Sequence, residues 1–265
     1  MIQTVLFFRS ILFGIVFNFT TALLLVLGSP LLLGPRSWAM AGLKVHARVS
    51  LWWLRVIVGT QMAVRGQDKL PQEPFLVAAK HQSAWDTMAL ILLFRDPAVV
   101  MKAELMLIPL YGWFSRKFGM IPVRRERGPA ALREMVRAAR DRIAAGRTVL
   151  VFPEGTRRPP GAAPAYKPGI LLLYEGLGVP CVPLALNSGL FWPRRKLLRY
   201  PGTIVVEILD PIPAGWKRSA FNAELERRIE TACRYLLEEA RQSPNPPPLP
   251  LQARGTQSEH NRNIS

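Results

Sequence analysis

The sequence predicts an α/β fold: a mostly parallel central sheet flanked by helices, preceded by an N-terminal membrane-associated helical segment. Three observations predict it. Short apolar runs at Phe75–Ala79, Ala98–Met101, Gly119–Val123, Thr148–Phe152, Cys181–Leu186 and Thr203–Leu209 alternate with helix-like stretches, the pattern of strand–helix–strand units. The run "TVLVF" (Thr148–Phe152) is rich in β-branched residues and continuous, as in a strand buried on both faces. The stretch from Ser10 to Pro35 carries no charge and is long enough for a bilayer, which takes about 20 apolar residues.

The elements follow in order. Gly28, Pro30, Gly34 and Pro35 crowd the second half of the uncharged stretch, so it either spans or enters and turns back. "AMA" (Ala39–Ala41) resembles a signal-peptidase site, but the apolar run is longer than a signal peptide's and only Arg9 precedes it with charge. A retained anchor is the expectation. Arg36, Lys44, Arg48 and Arg55 follow, which by the positive-inside tendency puts the remainder on the cytoplasmic face of the cell (inner) membrane. Val45–Val64, apolar with Trp52, Trp53 and a few cations, reads as a second helix at the membrane interface or packed on the domain. Residues 1–64 thus form the anchor and interfacial helices.

Residues 65–241 form the second unit. Ala84–Phe94 is helix-like. Ala130–Ala145 is amphipathic, with Leu132, Met135, Val136, Ala139 and Ile143 on one face, Pro129 in its first turn and Gly146 at its C-terminal cap. Gly169–Gly176 and Ser219–Arg241 read as further helices. The tail, 242–265, contains "SPNPPPLPLQ" and cannot build a core, so disorder is expected there.

Composition narrows the function classes. The 265 residues are 49% hydrophobic, with Lys+Arg 35 against Asp+Glu 18, for a net charge of +17. That balance favours anionic lipid surfaces, phosphorylated substrates or nucleic acid. The cations are spread over helices and loops without a nucleic-acid-binding motif, so no nucleic-acid partner is expected. Cys181 and Cys233 stand far apart and in no metal-type spacing. This excludes a disulfide framework and fits a reducing compartment; no metal site is expected.

The chemistry concentrates in three stretches. "KHQSAWDT" (Lys80–Thr87) puts His81 after an apolar strand and Asp86 five residues on. On one continuous helix the two would lie roughly 140° apart. They can meet only if His81 sits on the loop and Asp86 in the first turns of the next helix, with Ser83 as a reasonable N-cap. Asp86 could then take the proton on one ring nitrogen, leaving the other free to deprotonate a hydroxyl. A polar capping turn is the alternative. No Ser stands in a G-x-S-x-G elbow, so the attacking oxygen would come from the substrate. "VFPEGTRR" (Val151–Arg158) follows another strand. Pro153 and Gly155 force a turn, and Thr156, Arg157 and Arg158 supply donors for a phosphate cradle. Glu154 is odd in an anion site and would orient an Arg or bond a substrate hydroxyl. "GMIPVRRE" (Gly119–Glu126) delivers Arg124 and Arg125 at a strand end, where open α/β sheets bind ligands.

Together these stretches resemble the glycerolipid acyltransferase family, above all 1-acylglycerol-3-phosphate (lysophosphatidic acid) acyltransferases. "HQSAWDT" is similar to the H-x4-D block. Gly119, Ile121, Val123 and Arg125 fit the second block, behind "KAELMLIPLYG" (Lys102–Gly112). "FPEGTR" fits the third and "VPLALNSG" (Val182–Gly189) the fourth, with "YKPG" (Tyr166–Gly169) supplying a basic residue after the third. The likeness covers roughly residues 60–215. Lys80 and Arg124 depart from it, standing where Asn and a small, polar or acidic residue are common, and bear on acceptor choice.

The resemblance implies transfer of a fatty acyl group from acyl-CoA or acyl-carrier protein, as co-substrate, to the sn-2 hydroxyl of 1-acylglycerol-3-phosphate, with no cofactor. His81 would be the general base and Asp86 its orienting carboxylate. Arg125, Thr156, Arg157 and Lys167 would hold the acceptor's phosphate, with Glu154 and Gly155 shaping that site. Pro183 would line the acyl-donor side. The implied partners are a membrane lipid substrate, the acyl donor and the anionic membrane surface. Other acceptors (a lyso-ornithine lipid, another lysophospholipid, glycerol-3-phosphate) keep the same chemistry. A non-catalytic protein that binds anionic lipid is the reading of a different class.

Overall fold

In the computed structural model, residues 2–72, 74–124 and 127–249 are described. The chain opens with two helices, α1 (Ile2–Leu27) and α2 (Arg36–Trp53), joined by a 3-10 turn at Ser29–Leu32. Pro30 heads that turn, and a Cβ on Gly28 would lie 2.6 Å from the Leu24 carbonyl oxygen. The uncharged stretch therefore supplies most of α1 and the turn, and α2 returns along α1 as a hairpin in which the Thr21 hydroxyl and the His46 ring are 3.0 Å apart.

One face of α1 packs on the rest of the chain. Phe13 is buried, Arg199 N–H donates to Ser10 Oγ at 2.9 Å, and the Arg9 guanidinium donates to the Ile57 carbonyl. The opposite face, Val5, Phe8, Leu12, Ile15, Phe19, Leu23 and Val26, is exposed. Their spacing of three and four residues makes one apolar stripe.

The expected second helix at Val45–Val64 requires correction. Helix α2 begins at Arg36, runs into a π-turn at Leu54–Val58 and stops at Gly59, which takes φ 90°. Gly59 N–H donates to the Leu54 and Arg55 carbonyls, closing the turn. Thr60–Arg65 is then a strand, β1. Its apolar residues merge with those of the helix, so only the glycine marks the change. The expected division at 64/65 falls inside this strand.

The remaining strands are β2 (Leu76–Ala79), β3 (Ala98–Lys102), β4 (Ile121–Val123), β5 (Val149–Val151), β6 (Cys181–Leu186) and β7 (Gly202–Ile208). Between them lie α3 (Asp86–Ala89), α4 (Tyr111–Lys117), α5 (Pro129–Ala144), α6 (Gly169–Leu177) and α7 (Ser188–Phe191), and α8 (Arg218–Arg241) follows β7. The sheet order is β1-β7-β6-β2-β5-β3-β4. Only the β6–β7 pair is antiparallel, so the sheet is mostly parallel, as the alternation predicts.

Period-2 geometry sorts the buried strand residues onto two faces. Phe75, Val77 and Ala79 face Leu54, Trp85, Phe94 and Phe114. Leu76 and Ala78 face the apolar sides of α5, α6 and α8 through Met135, Leu173 and Phe221. With helices on both faces, strands β2 and β5 are buried at every position, which is why neither shows alternation.

Strand β2 lies between β6 and β5 and is parallel to both, and β3 and β4 continue the same direction. The loops after β2, β3, β4, β5 and β6 therefore emerge at one edge of the sheet. Arg125 and residues 250–265 of the expected disordered tail lie outside the described residues.

Gly59→Ala would put a side chain on a left-handed residue. The expected result is a fall in melting temperature of roughly 2–8 °C, measured by thermal unfolding in detergent; an unchanged or raised melting temperature would contradict this role for Gly59.

Candidate active site

The site is built on the loop that leaves β2. Asp86 is fully buried at the start of α3. Its Oδ2 accepts from Gln82 N–H at 2.7 Å and Ser83 N–H at 2.9 Å, and lies 2.9 Å from His81 Nδ1. Its Oδ1 accepts from Ser188 Oγ at 2.5 Å. With two N–H groups and a hydroxyl donating to it, the carboxylate is ionised and can only accept. His81 Nδ1 therefore carries the proton, and in the neutral ring Nε2 holds the lone pair. The ring stacks on Phe152, with centroids 4.0 Å apart, and His81 lines a large cavity.

The loop–helix junction required by the spacing is thus present, with one difference. Ser83 does not cap α3 in the expected way; its Oγ accepts from Trp85 N–H at 3.2 Å. The carboxylate of Asp86 instead folds the loop back over the helix start.

The second loop follows β5. Gly155 N–H donates to the Phe152 carbonyl at 2.8 Å, and Gly155 takes φ 64°, which suits glycine at the end of a tight turn. Arg158 N–H donates to the His81 carbonyl at 2.8 Å, and Lys167 N–H donates to the Pro153 carbonyl at 2.9 Å. These bonds bring Gly155, Thr156, Arg157 and Lys167 onto the wall of the cavity that His81 lines. Burial lowers the Arg157 pKa, and Asp86 opposes the shift.

The cavity has a volume of about 1130 Å³. From the basic end it runs past Met101, Phe114, Met120 and Met135 to Leu24 and Leu43 of the hairpin. Lys102, Arg194 and Arg195 also line it, and among the described lining residues no Asp or Glu appears.

Besides the buried Asp86, two expected site residues lie off this wall. Pro183 sits within β6, level with Ala78 of β2, and is not among the cavity-lining residues. Glu154 points inward: its Oε1 accepts from Lys80 Nζ at 3.0 Å and lies 3.6 Å from Arg158 Nε. Lys80 also donates to Glu230 Oε1 at 2.7 Å, which accepts from the Tyr166 hydroxyl at 3.1 Å. Burial alone would pull the Lys80 ammonium down, but the Glu154 and Glu230 carboxylates outweigh it and its pKa ends above the ordinary lysine value. Lys80 thus lies beneath the site as the counter-charge of a buried carboxylate.

Three residues in contact with this machinery escaped the sequence reading. Ser188 bonds Asp86, and Gln82 Oε1 accepts from Gly189 N–H at 3.0 Å; together they join the β2 and β6 loops. Both stand inside stretches already singled out, "HQSAWDT" and "VPLALNSG". Nothing in the sequence marks Glu230, 150 residues from Lys80.

Lys80→Met would leave buried Glu154 without its hydrogen-bonded cation, with only Arg158 at 3.6 Å. The expected cost is about 3–5 kcal/mol in denaturant unfolding. Adding Glu154→Gln should recover most of it, because the stranded charge is gone. A single variant as stable as the parent would contradict the pairing.

Comparison with known proteins agrees with this geometry. Residues 61–187 match the model of the family described as Acyltransferase. A 1-acyl-sn-glycerol-3-phosphate acyltransferase of Pseudomonas aeruginosa is 34% identical over 183 residues, covering 69% of this chain and 71% of that one. A lyso-ornithine lipid O-acyltransferase of the same species is 29% identical over 211 residues, covering 73% of this chain and 80% of that one. The crystal structure of the 1-acyl-sn-glycerophosphate (LPA) acyltransferase PlsC of Thermotoga maritima superimposes with a TM-score of 0.72 at 23% identity, covering 86% of this chain and 96% of that one, and so shares the fold. By these matches, this chain belongs to the acyltransferase family.

Proposed function

We propose that this acyltransferase moves a fatty acyl group from a thioester donor, acyl-CoA or acyl-carrier protein, to the sn-2 hydroxyl of 1-acylglycerol-3-phosphate, giving phosphatidic acid for phospholipid biosynthesis. One observation carries the reading: His81 and the Thr156–Arg157–Lys167 cluster share the polar end of a cavity whose remainder is mostly apolar. A lipid with one phosphate and one free hydroxyl matches that layout.

In this mechanism His81 Nε2 takes the hydroxyl proton and Asp86 stabilises the imidazolium. The oxygen forms a bond to the thioester carbonyl carbon, the carbon–sulfur bond breaks, and the imidazolium returns the proton to the leaving thiolate. The enzyme supplies no covalent nucleophile. Arg157, Thr156 and Lys167 hold the acceptor phosphate, and the resemblance assigns Arg125 to the same phosphate. Glu154 and Gly155 set the shape of the loop. Pro183 acts at a remove, within the sheet beneath the donor side. No cofactor takes part.

The resemblance to a lyso-ornithine lipid O-acyltransferase supplies a second reading. An ornithine headgroup is zwitterionic: its carboxylate can sit on a basic wall, but its ammonium calls for an acid. The described cavity wall offers Lys102, Arg157, Lys167, Arg194 and Arg195 and no acid, since Glu154 is turned toward Lys80. That supports the phosphate-bearing acceptor.

The same proposal sets the enzyme at the cell (inner) membrane, with the catalytic sheet on the cytoplasmic face and the anionic lipid surface as partner. The support is the exposed apolar stripe of α1 and the cations Arg36, Lys44, Arg48 and Arg55 that follow it.

Purified enzyme with labelled acyl donor and a panel of lyso-lipid acceptors is expected to label lysophosphatidate well above all others. Equal incorporation without lysophosphatidate would overturn the assignment, and preference for lyso-ornithine lipid would favour the second reading. His81→Ala should reduce transfer to background while lipid binding persists; unchanged transfer would remove His81 from the mechanism. Phe8→Glu with Ile15→Glu should shift the protein from the membrane pellet toward the supernatant, and full retention in the pellet would argue against the stripe as the membrane face.

A further inference from the structure

A second pocket, of about 230 Å³, adjoins the catalytic centre on the far side of Arg157. It lies between the middle of α1 and the loop from Trp192 to Arg199. Five cations line it: Arg157, Arg194, Arg195, Lys196 and Arg199. Among the described residues, none of the five is ion-paired to a carboxylate, and no carboxylate lines the pocket.

The loop is built to keep these charges together. Arg194 donates to the Arg157 carbonyl at 2.7 Å. The Arg199 guanidinium lies 4.8 Å from the centre of the Trp192 ring, and its Nη1 donates to the Lys196, Leu197 and Leu198 carbonyls. Its buried Nε donates to nothing. Arg195 takes φ 56°, a left-handed conformation that costs a non-glycine residue energy and tends to persist at functional sites. Like charges crowded into one pocket repel; burial lowers Arg157 first, Asp86 opposes that shift and Arg194 adds to it, and burial takes Arg199 down to about 10. A bound anion would offset the repulsion among these cations.

We propose that this pocket binds the phosphate of the acyl donor's phosphopantetheine arm, a group that acyl-CoA and acyl-carrier protein share. The inference rests on the thioester-donor reading above. Three observations favour the donor. The pocket shares Arg157, Arg194 and Arg195 with the mouth of the large cavity, so an occupant of one reaches the other. Ala84 is on its wall, three residues from His81 and so within about 11 Å along the backbone, which an extended pantetheine arm spans with slack. Gly14 and Asn18, which line it from α1, each sit about 100° round the helix from exposed Ile15 and Phe19, so the pocket opens beside the membrane-facing stripe and not through it.

The test is steady-state kinetics of Lys196→Glu, a residue that lines the second pocket and not the large cavity, using whichever acceptor the panel ranks first, so that a different acceptor would leave the donor measurement intact. Donors are acyl-CoA, acyl-carrier protein and the same acyl group on N-acetylcysteamine, a thioester without phosphate. The expected result is a donor KM raised roughly 10- to 100-fold for both phosphate-bearing donors, with acceptor KM unmoved and a parent-to-variant ratio near one for the phosphate-free thioester. An unchanged donor KM would overturn the proposal, as would an equal loss with the phosphate-free thioester. A loss with acyl-CoA alone would assign the site to the nucleotide's phosphates and overturn the shared-arm reading. A rate that instead follows the anionic-lipid content of the vesicles, with donor KM constant, would assign the pocket to a lipid headgroup and also overturn it.

Discussion

The carboxylate of Asp86 is the interaction on which the site depends. It is fully buried, and an ion in that position is tolerated only when its lone pairs are filled. The chain fills them with two backbone N–H groups, the Ser188 hydroxyl and His81 Nδ1. Hydrogen bonds to a charged group contribute about 1.5–3 kcal/mol each. The set closes the loop after β2, ties it to the loop after β6 and fixes the tautomer of the imidazole. Parallel pairing of β2 with β5 and β6 makes this feasible, because it delivers both loops to the same edge.

A second constraint is the sign of charge near that edge. The described residues around the mouth of the cavity are cationic, and the one carboxylate of the glycine turn, Glu154, is drawn beneath it by Lys80. The lysine that departs from the resembled pattern and the glutamate that is odd in an anion site therefore explain each other. Their pairing leaves an uncompensated basic wall for phosphate, while Tyr166 and Glu230 extend the buried network to α8.

Legibility from the sequence followed the range of the interactions. Strand β6 was readable to the residue, and α5 and α8 to within one residue at each end, because apolar runs and amphipathic faces are local patterns. Strand β1 was not, since Thr60–Arg65 continues the apolar character of α2 and only Gly59 interrupts it. The antiparallel turn of β7 leaves no local mark either. In the site, the spacing showed the one way His81 and Asp86 could meet, across a loop–helix junction, and the resemblance chose it over a capping turn. The inward turn of Glu154, the seat of Pro183 within the sheet and the contact of Ser188 with Asp86 all depend on partners 74 to 150 residues away, or on strand order, which no motif records.

The central claim is that Asp86 holds His81 with Nε2 free to act as base. Asp86→Asn measures it directly, because the amide keeps the size of the side chain and loses the charge and the acceptor-only character. Single-turnover acyl transfer, with the melting temperature taken alongside, should show a rate lower by about three to four orders of magnitude in a protein that still folds. A folded Asp86→Asn variant within a few-fold of the parent rate would contradict the account.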